Sequence, residues 1–332
     1  MKFAPIIYLI GMLLCILSLF MLVPAFVDWF YGGENWPAFV GSSISTLFVG
    51  LILFFSNKGS ATEHLELRQA FLLTNSAWIS IALFGSLPFL LSDIEMSFID
   101  AFFESTSGIT TTGATVIENL EAKSHGILIW RALLQWLGGV GIIVMALAVL
   151  PMLSIGGMQL FKTESYETPD KVVPKAASFA AGISIVYITL TVIWALMLWG
   201  AGMPMFDSIA HAMTTLATGG YSTKSESLAA FNSSTIEIII IFGMLVGSLP
   251  FVHYLTLSKN GLKNLIKDDQ VKLFLTLVFF IVLIMSLYLS SNNMPYLEAL
   301  RLASFNVISI ITGTGFGTSD FSNWGGFPTT IL

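Results

Sequence analysis

Charge is scarce in this chain of 332 residues. Lys, Arg, Asp and Glu together make up only 10% of the residues, whereas hydrophobic residues make up 55%. Soluble domains carry about 25% charged residues, so the composition excludes an ordinary soluble domain and indicates a membrane protein. The chain also has a single cysteine, Cys15, which excludes a disulfide within it.

The motifs of intramembrane and metal-dependent enzymes are also missing. The sequence has no HExxH motif, and no aspartate pair or Ser–His arrangement falls in facing hydrophobic runs. The histidines are scattered along the chain, so we predict no metal site. They are His64, His125, His211 and His253. The sequence therefore predicts a protein that is not an enzyme.

Long uncharged runs are the most prominent feature that the sequence does contain. Seven of them reach the roughly 20 residues that a helix needs to cross a bilayer. The first follows only Lys2 and is too long for the core of a signal peptide, so we interpret it as a retained span. The runs are Phe3–Val27, Asn35–Asn57, Gln69–Ser92, Ala132–Phe161, Ala176–Phe206, Ile238–Ser258 and Leu273–Leu297.

The distribution of charge predicts the orientation of these spans. If the N-terminus is cytoplasmic, ten of the 14 Lys and Arg residues fall on the inner side and thirteen of the 20 acids on the outer side. Short loops rich in Lys and Arg stay cytoplasmic, which favours this orientation. An acidic outer face concentrates cations, although acids that merely keep the loops soluble would explain the same excess.

Three semi-polar segments between the runs share one layout. Each has a short stretch of helical spacing followed by a stretch rich in Thr and Gly. When they are aligned on Gly113, Gly220 and Gly315, Asp100 and Asp207 both lie 13 residues before the glycine. The glycines are 107 and 95 residues apart, which indicates an internal repeat. The segments are Ser97–Val116, Met205–Thr223 and Tyr296–Thr318.

The sequence GITTTGATV (Gly108–Val116) has no helical pattern, although its surroundings are apolar. The stretch before it, such as Ile99–Ser107, is only about ten to twelve residues long, too short to cross a bilayer. We predict a re-entrant half-helix followed by an extended strand, and such backbone is tolerated at membrane depth only inside protein or along an aqueous path.

Carbonyl and hydroxyl oxygens on these strands suit a dehydrated alkali cation. Taking such an ion out of water costs on the order of tens of kcal/mol in an apolar medium, so the ligands must replace its water shell. Glycine adopts positive φ without steric cost and can turn a carbonyl towards the pathway. The half-helix would also point its negative C-terminal end there. These features predict a cation pathway.

Four stretches resemble the Trk/Ktr/HKT superfamily of potassium transporters, and most of all its bacterial TrkH-type membrane subunits. The resemblance extends over essentially the whole chain. It is carried by ESTSGITTTGAT (Glu104–Thr115), TTLATGGYST (Thr214–Thr223), SIITGTGFGTSDF (Ser309–Phe321) and QWLGGVGIIVMALAVLP (Gln135–Pro151).

The resemblance implies an all-α polytopic membrane protein with helix–pore-loop–helix units in a pseudo-fourfold arrangement. Two extra spans would occupy residues 1–60, the first unit 61–160, the second unit 161–260 and the third unit 261–332. The third unit is then incomplete in its second span, and the fourth is absent. We therefore expect a fragment of a longer protein, inactive in this form.

The resemblance further implies potassium uptake through a selectivity filter. Glycine rather than serine at Gly113 goes with potassium in that superfamily. The implied filter residues are Thr111, Thr112, Gly113, Thr218, Gly219, Gly220, Thr314 and Gly315.

Several polar and small residues near the filter have two interpretations each. The acids either support the half-helices, with Arg131 or Arg301 as partners, or face the vestibule and attract cations. For Gly138, Gly139 and Gly141 we favour close helix packing over ion contact, and for His211 a packed or a vestibular position. The acids are Asp100, Glu104, Asp207 and Asp320.

The resemblance also implies partners and a location. Potassium is the expected substrate, with no covalently bound cofactor and no nucleic-acid partner. A homodimer in the lipid of the bacterial cytoplasmic (inner) membrane is expected, with a cytosolic nucleotide-binding regulatory subunit. Its contact is expected at the basic loops Met158–Lys175 and Ser258–Lys272, whose charge would also be explained by topology alone.

A cation-coupled secondary transporter, driven by protons or sodium and carrying a small solute, is the alternative function. Such transporters bind solute at the midplane between broken helices and often contain inverted repeats. Here every segment enters from the same side, which favours parallel repeats and the filter interpretation.

Overall fold

A computed structural model describes residues 3–60, 67–153, 172–260, 263–319, 324–326 and 328. Asp320 and most of the basic loop Met158–Lys175 lie outside these residues. The chain divides into two compact units, which are described separately. Unit 1 comprises Met1–Thr110, Ala114–Ile117 and Ala122–Ala181, and unit 2 comprises Thr111–Gly113, Glu118–Glu121 and Gly182–Leu332.

The described elements are helical, and no β-strand occurs among them. Unit 1 contains α1 (Ala4–Phe30), α2 (Trp36–Ser56), α3 (Leu67–Gly85), α4 (Leu87–Leu91), α5 (Phe98–Ile109) and α6 (His125–Leu153). Helix α7 (Val172–Gly200) starts in unit 1 and continues into unit 2. Unit 2 also contains α8 (Met205–Leu216), α9 (Ser234–Ser248), α10 (Phe251–Asn260), α11 (Lys263–Lys267), α12 (Asp269–Ser291) and α13 (Tyr296–Ile311). The prediction of an all-α protein is confirmed.

Five stretches of the described residues are helical, long and apolar enough to span a membrane. They confirm a multi-pass membrane protein, and they coincide with five of the predicted spans. They are Ala4–Phe30, Trp36–Ser56, Arg68–Leu91, Ala180–Gly200 and Asp269–Ser291.

The predicted span Ile238–Ser258 is wrong as a single helix. The structure has two helices there, α9 with 15 residues and α10 with 10. Leu249 between them is extended, with ψ of 151°. Pro250 explains the break, because proline has no N–H to donate and disfavours helical geometry in the residue before it.

Close backbone contact joins α1 and α2 in unit 1. A Cβ on Gly11 would lie 2.6 Å from the nitrogen of Phe54 and 2.8 Å from the oxygen of Gly50. Small residues let membrane helices approach in this way, since lipid leaves no hydrophobic force to drive their association. The buried Asp28 carboxylate, at the end of α1, then accepts hydrogen bonds from the backbone N–H groups of Asn35 and Gly126. These two bonds link the connection between α1 and α2 to the start of α6.

Two of the three short helices confirm the length predicted for the half-helices. Helices α5 and α8 have 12 residues each, so they span about 18 Å, well short of a bilayer core of about 30 Å. Helix α13 has 16 residues, more than the ten to twelve expected. It packs on α12 through a buried apolar cluster that includes Met285, Leu289 and Ala303.

Candidate functional site

The same backbone conformation follows each of the three short helices. The aligned glycine and the residue two positions before it both have positive φ. For a residue other than glycine this left-handed conformation is uncommon and costs roughly 1–2 kcal/mol. Its recurrence at threonine in two segments indicates that the turn is required. The φ values are 55° and 81° at Thr111 and Gly113, 51° and 73° at Thr218 and Gly220, and 74° and 84° at Gly313 and Gly315.

We call the residues at the aligned glycines the glycine segments: Thr111–Gly113, Thr218–Gly220 and Gly313–Gly315. These three segments meet within unit 2. A Cβ built on Gly113 would overlap the carbonyl oxygen of Gly219 and lie 3.7 Å from that of Thr314. A Cβ built on Gly220 would overlap the carbonyl oxygen of Thr314 and lie 3.2 Å from the carbonyl carbon of Gly315. Main-chain oxygens from neighbouring segments therefore occupy the space that side chains would need.

The structure thus brings together the predicted residues Gly113, Gly219, Gly220, Thr314 and Gly315. The remaining predicted residues, Thr111, Thr112 and Thr218, belong to the same unit.

Gly313 was missed by the sequence analysis. Its φ of 74° puts it in the same conformation as Thr111 and Thr218. The signal was present in the sequence TGTG, where a second glycine stands two residues before the aligned one.

The C-terminal ends of α5 and α8 each pack against a glycine of a following helix. A Cβ on Gly138 in α6 would overlap the carbonyl oxygen of Ile109. A Cβ on Gly247 in α9 would lie 2.9 Å from the carbonyl oxygen of Leu216. Ile109 and Leu216 both stand four residues before the aligned glycine. Gly138 therefore has the packing role that we favoured for it, whereas no described atom lies within 4 Å of a Cβ built on Gly141.

Glu104, in the middle of α5, binds the residues that follow Gly113. Its carboxylate accepts hydrogen bonds from the Thr115 hydroxyl at 2.9 Å and from the Val116 backbone N–H at 3.0 Å. Arg131 Nε donates to the same carboxylate at 2.7 Å, and the Glu104 and Arg131 side chains are 0% and 1% exposed. A buried charge needs this compensation.

His211 in α8 has the corresponding position before Gly220. Its Nδ1 lies 2.8 Å from the carbonyl oxygen of Asp207 and its Nε2 lies 2.9 Å from the Ser222 hydroxyl. A carbonyl oxygen only accepts, so Nδ1 donates, and in the neutral ring Nε2 accepts from the hydroxyl. Of the two positions expected for His211, packed or vestibular, the structure has the packed one, because the residue is 0% exposed.

Asn306 in α13 has that position before Gly315 and is also buried. Its side-chain amide donates to the Thr318 hydroxyl at 3.2 Å and to the Ser319 hydroxyl at 3.3 Å. It also donates to the carbonyl oxygen of Leu302 within its own helix. Sequence analysis did not single out Asn306.

The two aspartates near the helix starts bind within their own segments. Asp100 forms a reciprocal cap with Ser97, whose hydroxyl donates to its carboxylate at 2.7 Å and accepts from its N–H at 3.2 Å. Asp207 is buried and accepts from the Thr223 hydroxyl at 2.6 Å.

Among the described residues, the acid that Arg301 pairs with is Glu237 rather than Asp100, Glu104 or Asp207. Arg301 binds Glu237 in the first turn of α9 at 2.9 Å, because the fold of unit 2 places α9 beside α13. Arg131, in contrast, pairs with Glu104 as expected.

Hydrogen bonds also join the connecting loops inside unit 2. The Glu121 carboxylate accepts from the N–H and the hydroxyl of Ser225, both at 2.7 Å. The bond from the hydroxyl makes the largest contribution, and together the two bonds hold the pKa of Glu121 below its ordinary value. The backbone of Gly317 bonds in turn to Leu228 and to the Ser227 hydroxyl.

Comparison with known proteins identifies the family. The sequence profile of the TrkH family, described as "Cation transport protein", matches residues 36–331. The chain belongs to the TrkH family. This confirms the resemblance on which the site was predicted.

TrkH-family relatives match this chain over 98% or more of its length. The Trk system potassium uptake protein TrkI of Halomonas elongata is 36% identical over 98% of this chain and 66% of the relative. The Trk system potassium uptake protein TrkH of Salmonella typhimurium is 37% identical over 100% of this chain and 70% of the relative. The chain thus spans about two thirds of the length of these relatives.

A solved structure of the TrkH family has the same fold. The crystal structure of the potassium transporter TrkH from Vibrio parahaemolyticus matches with a TM-score of 0.91 at 35% sequence identity. The match covers 100% of this chain and 69% of that one.

Proposed function

We propose that this chain is the ion-translocating part of a Trk-type potassium uptake system. The observation that carries the proposal is the meeting of Gly113, Gly220 and Thr314, where main-chain oxygens occupy the space that a side chain would need. Relatives that carry the name Trk system potassium uptake protein support potassium as the substrate.

The proposed ligands are the carbonyl and hydroxyl oxygens of the three glycine segments. They replace the water shell of potassium as it passes in single file, and the membrane potential drives uptake with about 2.3 kcal/mol per charge per 100 mV. No cofactor or enzymatic step enters this function. The residues are Thr111, Thr112, Gly113, Thr218, Gly219, Gly220, Thr314 and Gly315 from the sequence, with Gly313 added from its conformation.

The proposed assembly follows the sequence analysis. Two spans in residues 1–60 precede helix–pore-loop–helix units at 61–160, 161–260 and 261–332, arranged pseudo-fourfold in the complete protein. The N-terminus lies in the cytoplasm, and the protein forms a homodimer in the bacterial inner membrane with a cytosolic nucleotide-binding subunit. The excess of Lys and Arg on that side supports the orientation. Among the described residues no observation favours the solute-carrier alternative.

Uptake by the full-length protein tests the proposed function. Bacterial cells without their own potassium uptake should grow at low potassium when they produce the protein, and should accumulate rubidium as a tracer. Gly113→Ser should reduce the ratio of potassium to sodium uptake, because its side chain would displace the Gly219 carbonyl.

Gly32→Ser is the matched control. Gly32 also has positive φ, but no described atom lies within 4 Å of its Cβ position. The control should therefore keep the wild-type ratio. Absence of potassium accumulation by the wild type would refute the function, and an unchanged ratio in Gly113→Ser would refute the filter assignment.

A further inference from the structure

Three chemically different side chains make the same kind of contact at one aligned position. Glu104, His211 and Asn306 each stand nine residues before the aligned glycine. Each hydrogen-bonds to a hydroxyl two to four residues after that glycine. We call the residues after each glycine the return segments: Ala114–Ile117, Tyr221–Lys224 and Phe316–Ser319.

The three side chains that make these contacts are buried in the protein. Glu104 and His211 are 0% exposed and Asn306 is 1% exposed. A buried polar group costs free energy unless it is hydrogen-bonded, so an apolar residue would fill the same space at less cost if packing were the only requirement. The recurrence of a polar contact with different chemistry therefore indicates that the attachment itself matters.

A second contact, closer to the glycine, acts on the same return segments. The Ser107 hydroxyl donates to the carbonyl oxygen of Ala114 at 2.5 Å, and the Ser309 hydroxyl donates to that of Phe316 at 2.7 Å. Both serines stand six residues before the glycine and both acceptors directly follow it. The peptide after the glycine is thus held at two points in the first and third segments.

We propose that Glu104, His211 and Asn306 are positioning residues for ion selection, an inference that rests on the proposed function. None of them is a ligand of the ion. Each fixes the return segment to the half-helix, and this keeps the adjoining glycine carbonyl from moving inward around a smaller cation. A site built from main-chain oxygens holds its geometry only if the surrounding contacts hold the backbone. Arg131 serves the same purpose by keeping the Glu104 carboxylate in place.

Removal of the hydroxyls tests the proposal without emptying the buried positions. Thr115→Val removes the hydroxyl that donates to Glu104 at an exposed residue, and leaves the bond from the Val116 N–H and the pair with Arg131 intact. Ser222→Ala removes the partner of His211. Because a hydrogen bond to a charged group is the stronger kind, we expect the potassium-to-sodium uptake ratio to fall about tenfold in Thr115→Val. For Ser222→Ala we expect the potassium-to-sodium uptake ratio to fall about threefold.

The controls separate positioning from a general effect on folding. Thr115→Ser restores the hydroxyl and should restore the ratio. Thr189→Val removes a hydroxyl whose hydrogen bond, among the described residues, lies within its own helix, and Glu237→Gln alters an ion pair away from the return segments. Both should keep the wild-type ratio. Uptake is normalised to the amount of folded protein in the membrane.

The outcomes are distinguishable. If Thr115→Val and Ser222→Ala lower uptake of all ions equally, or change nothing, the positioning proposal is overturned while potassium uptake by the wild type still supports the proposed function. If the wild type itself accumulates no potassium, the proposed function fails and this inference fails with it. A ratio that falls in both variants and returns in Thr115→Ser supports the proposal.

Discussion

The carbonyl oxygen of Thr314 occupies the position that a Cβ on Gly220 would take. Gly220 also has φ of 73°, in the left-handed region. Two independent constraints therefore require glycine at this position: a backbone conformation that L side chains rarely adopt, and a neighbouring oxygen that leaves no space. The second constraint joins the second glycine segment to the third.

These two constraints can be separated by substitution. Gly220→Ala should abolish discrimination between potassium and sodium, because the new methyl group displaces the Thr314 carbonyl as well as straining the backbone. Gly202→Ala is the control: its φ is 95°, but no described atom lies within 4 Å of the Cβ position. Flux ratios for potassium and sodium measure the effect. Equal ratios in the two variants would contradict a role for the Thr314 oxygen.

The contact of Gly138 with the end of α5 predicts a stability difference along one helix. Gly138→Ala should lower the free energy of unfolding by about 1–3 kcal/mol, since a Cβ overlaps the Ile109 carbonyl oxygen. No described atom lies within 4 Å of a Cβ built on Gly141 in the same helix. Gly141→Ala should therefore raise the free energy of unfolding by up to about 1 kcal/mol through helix propensity. Thermal unfolding in detergent compares them, and a similar loss in both would contradict the packing.

The ion pair of Glu104 and Arg131 predicts non-additive effects on stability. Arg131→Met should cost about 3–5 kcal/mol, because it leaves a buried carboxylate without its cation. The double variant Arg131→Met with Glu104→Met should recover much of that loss. Arg301→Met should cost less, since Arg301 is 28% exposed. Melting temperatures of the wild type, of Arg131→Met, Glu104→Met and their double variant, and of Arg301→Met test this, and additive losses in the double variant would count against a coupled buried pair.

The bonds from Ser225 to Glu121 predict a pH dependence. The folded-state pKa of Glu121 is lowered from its ordinary value of 4.5. The contribution of the carboxylate to stability is therefore present above that ordinary value and is lost as the pH falls through the folded pKa. Glu121→Gln should melt below the wild type at about pH 7, and the gap should close in strong acid.

Glu118→Gln changes another exposed acid of the same connection and serves as the control. It should melt close to the wild type at both pH values. A gap for Glu121→Gln that persists unchanged in acid would show that the carboxylate charge does not support the contact.

The sequence by itself determined the class of the protein and the position of its glycine turns. Long uncharged runs predict helices that cross the membrane, because a helix needs about 20 mostly apolar residues to span the hydrocarbon core. Short helical stretches before Thr/Gly-rich residues predict half-helices because twelve residues cannot cross. Local composition is sufficient for both. The break after Ser248 was also open to prediction from the sequence, since proline in a helix interior kinks or breaks the helix and Pro250 follows closely, although we predicted a single span there.

The tertiary structure alone decided which side chains pair with each other. Nothing in the local sequence distinguishes Arg301 paired with Glu237 from Arg301 paired with an acid of a half-helix, because partners 64 residues apart are chosen by how helices pack. The hydrogen bonds of Glu104, His211 and Asn306 to the return segments could not be predicted from the local sequence either. Three unlike residues share no pattern until the folded chain shows that each one reaches a hydroxyl beyond its glycine.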